Sequence, residues 1–138
     1  MKQDCAPVAV RYGPEFETCP KSIRAAIEEI ARESATRAIW LIGSRANLGA
    51  TPESDWDVLV FRDDEIAQVP QRCEGLDVLR VSPSGSVLLE GGAIVLSFDS
   101  FCWSLIDRRR ATYAGCDFPE GAPIERPQLR AVLTYERG

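Results

Sequence analysis

A chain of 138 residues, 45% hydrophobic and 27% charged, is long enough for one domain with a real core and too apolar to be disordered. Its net charge of −5 argues against a broadly basic nucleic-acid surface, and its apolar runs stay far below the ~20 residues of a membrane helix. The absence of histidine removes Ser-His-Asp and Cys-His chemistry, and five cysteines without a Cys-x-x-Cys pair argue against a zinc knuckle, a redox dithiol or a disulfide framework. The first residues carry no apolar signal core, so the expected location is cytoplasmic, with the thiols reduced and mostly buried.

In chain order, the stretch to Pro20 is rich in turn formers, with a short strand expected at Val8–Arg11. From Lys21 to about Ser34, the residues Ile23, Ala26, Ile27, Ile30 and Ala31 recur at helical spacing, with Ser22 as the expected N-cap. Ala38–Ile42 reads as a buried strand that ends at a Gly43-Ser44 turn, Arg45–Ser54 as a loop, and Asp55–Phe61 as the next strand. A short helix is expected over Glu65–Gln71, a strand over Gly75–Val81, and a hairpin of Val87–Leu89 with Ala93–Ser97 around Gly91-Gly92. Phe101 to about Arg110 has the spacing of a helix, the tail after Gly115 reads as irregular, and Leu129–Tyr135 fits strand or helix equally. The order predicts an α+β (mixed α/β) layer, a small mixed sheet with helices on one face, in a single domain over 1–138.

Chemistry concentrates in two short pieces, Gly43-Ser44-Arg45-Ala46 and Asp55-Trp56-Asp57, with ten residues between Ser44 and Asp55. A glycine turn at a strand end lets backbone N–H groups and a serine hydroxyl approach phosphate oxygens, and Arg45 adds a cationic fork. Along a strand Asp55 and Asp57 share one face, about 7 Å apart, a spacing from which two carboxylates can converge on divalent metal. Trp56, Val58 and Val60 then face the core on the other side. The acidic run Asp63-Asp64-Glu65 reads as a solvated face, and Arg108-Arg109-Arg110 as the basic end of a helix or an anion contact.

Gly43-Ser44-Arg45-Ala46, with Ser54-Asp55-Trp56-Asp57-Val58-Leu59-Val60 beyond it, resembles the signature of the DNA polymerase β-like nucleotidyltransferase superfamily, most closely its minimal single-domain members. The resemblance covers about 21–81 and leaves 82–138 without an assigned role. It implies the nucleotidyltransferase fold and a third carboxylate on a later strand, which matches Asp77. It further implies that Gly43 and Ser44 hold the phosphates of an NTP, which the cationic fork of Arg45 can also reach, while Asp55, Asp57 and Asp77 bind two Mg²⁺ ions and act in catalysis. The chain departs from the pattern where Asn47-Leu48-Gly49 replaces a second arginine and shifts the glycine, and where Trp56 stands between the aspartates.

The activity so implied is Mg²⁺-dependent transfer of a nucleoside monophosphate, AMP from ATP being expected, to a hydroxyl. The small size resembles the antitoxin-type members that modify a partner toxin protein. Three alternatives stay open: an aminoglycoside-like small-molecule acceptor, a catalytically silent nucleotide-binding or interaction module of the same fold, and a structural domain with an accidental motif. No membrane partner is expected, and nucleic acid is disfavoured.

Overall fold

The computed structural model describes residues 9–47, 49–65, 67–93, 95–114, 116–117, 122–123 and 129–137. The amphipathic segment forms α1 (Lys21–Arg32), which buries Ile23, Ala26, Ile27, Ile30 and Ala31. Its N-cap is Pro20 with no side-chain cap, so Ser22 lies inside the first turn instead of capping it. Glu33 turns the backbone extended, and the chain enters β1 (Thr36–Ile42).

From there the molecule is sheet. The strands are β2 (Trp56–Arg62), β3 (Leu76–Val81), β4 (Ser86–Leu89), β5 (Val95–Ser97), β6 (Ser104–Leu105), β7 (Arg110–Tyr113), β8 (Cys116–Asp117), β9 (Ala122–Pro123) and β10 (Leu129–Glu136). Eight of them form one curled mixed sheet, a half-barrel in the order β5-β4-β3-β2-β1-β10-β7-β6, and β8 pairs with β9 apart from it. Among the described residues β2 and β3 make the one parallel pairing, in the register Asp57↔Asp77 and Val58↔Val78.

This architecture corrects the expected α+β nucleotidyltransferase fold with helices packed on one face: among the described residues α1 is the one α-helix against ten strands. Two expected helices do not form. Residues 67–72 run without regular structure because Pro70 cannot donate to a helix and Val69 gives its carbonyl to Gly91 N–H at 2.8 Å. Phe101–Arg110 breaks at Cys102, which takes a left-handed φ of 49°, and becomes β6, a turn and β7. Asp107 holds that turn by accepting from the N–H groups of Arg109 (2.8 Å) and Arg110 (3.0 Å).

The remaining expected strands form with small shifts in their ends. The expected hairpin forms as β4 with β5, and the ambiguous Leu129–Tyr135 becomes β10, paired with β1 at the middle of the sheet. Of the expected strand at Val8–Arg11, Val8 lies outside the described residues, and Arg11 makes one backbone bond to Thr134 C=O at 2.7 Å. The expected irregular tail has the β8–β9 ladder within it, while Pro119 and Pro127 fall outside the described residues.

Both faces of the sheet are buried. On one, α1 packs with Phe16 against Ile39, Leu41, Trp56, Val58, Val60, Leu76 and Val78. On the other, the sheet curls over a second core that includes Trp40, Leu59, Leu79, Val81, Phe101 and Tyr113. The edge strands β5 and β6 are joined by the short stretch 98–103, whose rings fill the concave side: Phe61 meets Phe98 at 5.3 Å and Trp103 at 5.6 Å, edge to face. Cys19 is buried, Cys73 half-buried and Cys102 exposed, all as free thiols. No helix of the described residues is long and apolar enough to cross a membrane.

Candidate functional site

Two carboxylates meet at one end of the parallel pair. Asp57 and Asp77 are register partners on β2 and β3, so their side chains leave the same face of neighbouring strands about 4.8 Å apart. Each is half-buried, and Asp55, two residues before Asp57, is exposed beside them. Burial, then the charge and hydrogen bond of Asp77, then the charge of Asp55, push the Asp57 carboxyl up to about 7. Asp77 is also raised, first by burial and also by Asp55, while its hydrogen bond from Asp57 pulls the other way. Both carboxyls are thus held above the usual carboxylate range, each by burial first and by its acidic neighbours next. Like charges this close cannot both ionise cheaply in a dry site, so either a proton or a cation belongs there.

The Gly43 turn forms the wall of this site. Gly43 closes β1 with φ +74°, and a Cβ at that position would land on the Asp57 carboxylate, so only glycine fits. Ser44–Ala46 follows as one turn of 3₁₀ helix. The N–H groups of Ser44 and Arg45 head that turn and meet no acceptor among the described residues. The N–H of Gly43 is already used: it donates to the Tyr113 hydroxyl at 2.8 Å.

Arg45 is placed elsewhere. Its guanidinium donates to Ser54 C=O at 2.8 Å and lies 4.5 Å over the Trp56 ring, on the α1 side of the sheet. This gives Trp56, the bulky residue between the aspartates, a partner as well as a core contact with Phe16, whose ring stacks on it at 5.4 Å. Asp55 and Trp56 also line a cleft of about 560 Å³ between the start of α1 and the 50–55 loop.

Two residues to which the sequence assigned no part in the site hold it together. Asn47 donates to Gly43 C=O (2.8 Å) and Arg130 C=O (3.1 Å) and accepts from Arg130 N–H (2.7 Å), pinning the start of β10 to the turn. Asn47 thus has a structural task where the resembling family carries an arginine. Tyr113, seventy residues away in the chain, reaches the turn from β7. No local spacing signals such a contact; only its place on the concave face does.

The donor set suits a hard divalent cation. Mg²⁺ takes oxygen ligands, keeps waters and substrate phosphates, and commonly needs one or two carboxylates from the protein. Asp57 and Asp77 supply two that are desolvated and short of positive charge, with Asp55 adjacent. Among the described residues no three acidic or thiol side chains already converge as a closed ligand set. The expected solvated face holds: Asp63, Asp64 and Glu65 are exposed, and on it Asp63 pairs with Arg37 and Arg137, and Asp64 with Arg62. No protein-family model, no curated protein and no solved structure matches this chain.

Proposed function

We propose that the carboxylate end of the sheet is the centre of a Mg²⁺-dependent nucleotidyltransferase, moving a nucleoside monophosphate, AMP from ATP, onto a hydroxyl acceptor. The observation that carries this reading is the in-register pair Asp57/Asp77 beside the Gly43-Ser44 turn. The resemblance of the Gly-Ser…Asp-x-Asp stretch to the DNA polymerase β-like superfamily supports it at the level of the motif.

Asp57 and Asp77, with Asp55, would hold the metal, which when bound supplies positive charge to the attacking and leaving oxygens. The Ser44 hydroxyl and the N–H groups of Ser44 and Arg45 would hold triphosphate oxygens. The acceptor oxygen attacks the α-phosphorus, the bond to the β-phosphate oxygen breaks, and pyrophosphate leaves. Asp77 takes the hydroxyl proton, a task for which histidine is not needed. The acceptor we favour is a hydroxyl on a partner protein, as in antitoxin-type members; exposed Val95, Leu105 and Ile106 at the sheet edges offer apolar surface to such a partner. A small-molecule, aminoglycoside-like acceptor is the alternative substrate class.

Incubation with each NTP radiolabelled at the α-phosphate, Mg²⁺ and a cell extract tests this reading. We expect label from ATP on one acceptor, abolished in Asp57→Asn and Asp77→Asn. Absence of transfer from every NTP, or transfer that survives Asp57→Asn, contradicts it.

A second reading is a nucleotide-binding or interaction module without turnover. It is favoured by the internal use of Gly43 N–H by Tyr113 and of the Arg45 guanidinium by Ser54 and Trp56, which leaves fewer groups for a triphosphate. Binding of Mg·ATP in calorimetry without label transfer would select it.

A further inference from the structure

We propose that a second site, of opposite charge, lies at the other end of β10 and binds a compact ligand carrying one or two phosphate groups. The cleft holds about 340 Å³ and lies between the tip of the β6–β7 hairpin and the segment before α1, with Thr134 and Tyr135 of β10 among the residues lining it. Arg108 and Arg109 enter from the hairpin and Arg11 from the opposite wall. All three are exposed, and among the described residues none has an acidic partner or a side-chain hydrogen bond. Arg137 stands at the rim, bound to Asp63 at 2.6 Å and to Ser34 C=O at 2.9 Å. Among the described residues Glu136 is the one carboxylate that lines the cleft.

The walls are fixed. Arg11 N–H donates to Thr134 C=O at 2.7 Å, and Leu133 N–H to Arg109 C=O at 2.8 Å, so both arginine-bearing segments are tied to β10. Arg110 donates from Nε (2.9 Å) and Nη2 (2.6 Å) to Asp107 Oδ2, which separates that arginine from its two neighbours. The run Arg108-Arg109-Arg110 is thus split: one member closes the turn and two face the cleft.

Three unpaired guanidiniums around a concave floor suit phosphate oxygens, which take bidentate N–H contacts from arginine. The size is at the small-molecule end of ligand cavities. A long polyanion is disfavoured, because the chain carries −5 overall and Glu136 and Asp63 bound the basic patch. The site is distinct from the carboxylate end: Arg130, pinned by Asn47, and Tyr135 are roughly 17 Å apart along the strand at ~3.4 Å per residue.

Calorimetric titration of the metal-free protein with inorganic pyrophosphate, and separately with ADP, tests this. Without metal the carboxylates repel both probes, so the outcome is independent of the proposed transferase activity. We expect one equivalent to bind, more weakly as salt rises. Arg108→Ala with Arg109→Ala should weaken binding about tenfold or more, and Arg11→Ala by severalfold. Glu136→Gln should tighten it, an opposite sign that a folding defect does not produce; circular dichroism confirms the fold of each variant. Absence of binding, equal affinity in the arginine variants, or single-stranded RNA binding more tightly than pyrophosphate overturns the proposal.

Discussion

The two ends of the β2–β3 pair treat charge in opposite ways. Asp57 and Asp77 face each other at one end, half-buried and same-signed, with no cation beside them among the described residues. Toward the other end of the same strands, charges are buried but matched. Arg62 binds Glu33 at 2.6 Å and Asp64 at 2.8 Å, and Arg72 binds Glu29, Glu33 and Glu90 at 2.8, 2.9 and 3.1 Å. The Glu90 side chain is only 2% exposed and would be untenable alone. One end is laced with ion pairs that hold the sheet to α1, although the buried Arg80 Nε there lies 3.8 Å from Glu90 without a hydrogen bond; the other end sets like charges together, as the proposed cation site requires.

Removing a partner from the paired end should do the most damage. Arg72→Ala leaves Glu90 and Glu33 short of positive charge and should lower unfolding stability by ~3–5 kcal/mol, read from urea denaturation. Next is Gly43→Ala, which forces a side chain into a backbone with φ +74° and onto the Asp57 carboxylate. We expect about 1–3 kcal/mol of backbone strain, together with loss of label transfer.

The like-charged end should show itself in pH dependence. The Asp57 carboxyl lies at about 7 in the folded chain against an ordinary value of 3.8. Between those values the folded state binds more protons than the unfolded one, so stability falls as pH rises through the window. The melting temperature of the metal-free protein should therefore drop from acid toward pH values above the folded pKa. Asp57→Asn should flatten this profile and raise the melting temperature at the alkaline side, the reverse of what a purely structural aspartate would do. The smallest effect is that of Asn47→Ala, about 1–2 kcal/mol for the lost bonds to Gly43 and Arg130, with weaker transfer as the turn loosens.

The end that carries the proposed chemistry was legible because its signals are local. Gly43 sits where a strand must stop and a carboxylate must approach, and Asp55-Trp56-Asp57 fixes two side chains on one face by the period of a strand. Asp77 followed from family resemblance, and the strand register sets it opposite Asp57. The unbroken run Val58–Phe61 signals a strand covered on both faces, yet it does not say by what. The cover is the sheet's own curl, built from Phe98, Phe101, Trp103 and Tyr113, and it was hidden because Phe101, Leu105 and Ile106 fall at helical spacing. Arg45 illustrates a further limit: next to a phosphate-type turn it reads as a phosphate ligand, but Trp56 and the Ser54 carbonyl hold it on the opposite face. Contacts such as Gly43 with Tyr113 depend on how distant strands order, which no local pattern encodes.

Manganese titration followed by electron paramagnetic resonance tests the central claim most directly, that the unpaired carboxylate end is a divalent-cation site. At a pH above the folded value of Asp57, the wild-type protein should bind Mn²⁺ in competition with Mg²⁺, and Asp57→Asn and Asp77→Asn should each abolish that binding while remaining folded. Absence of Mn²⁺ binding in the wild type, or binding unchanged by both substitutions, contradicts the account.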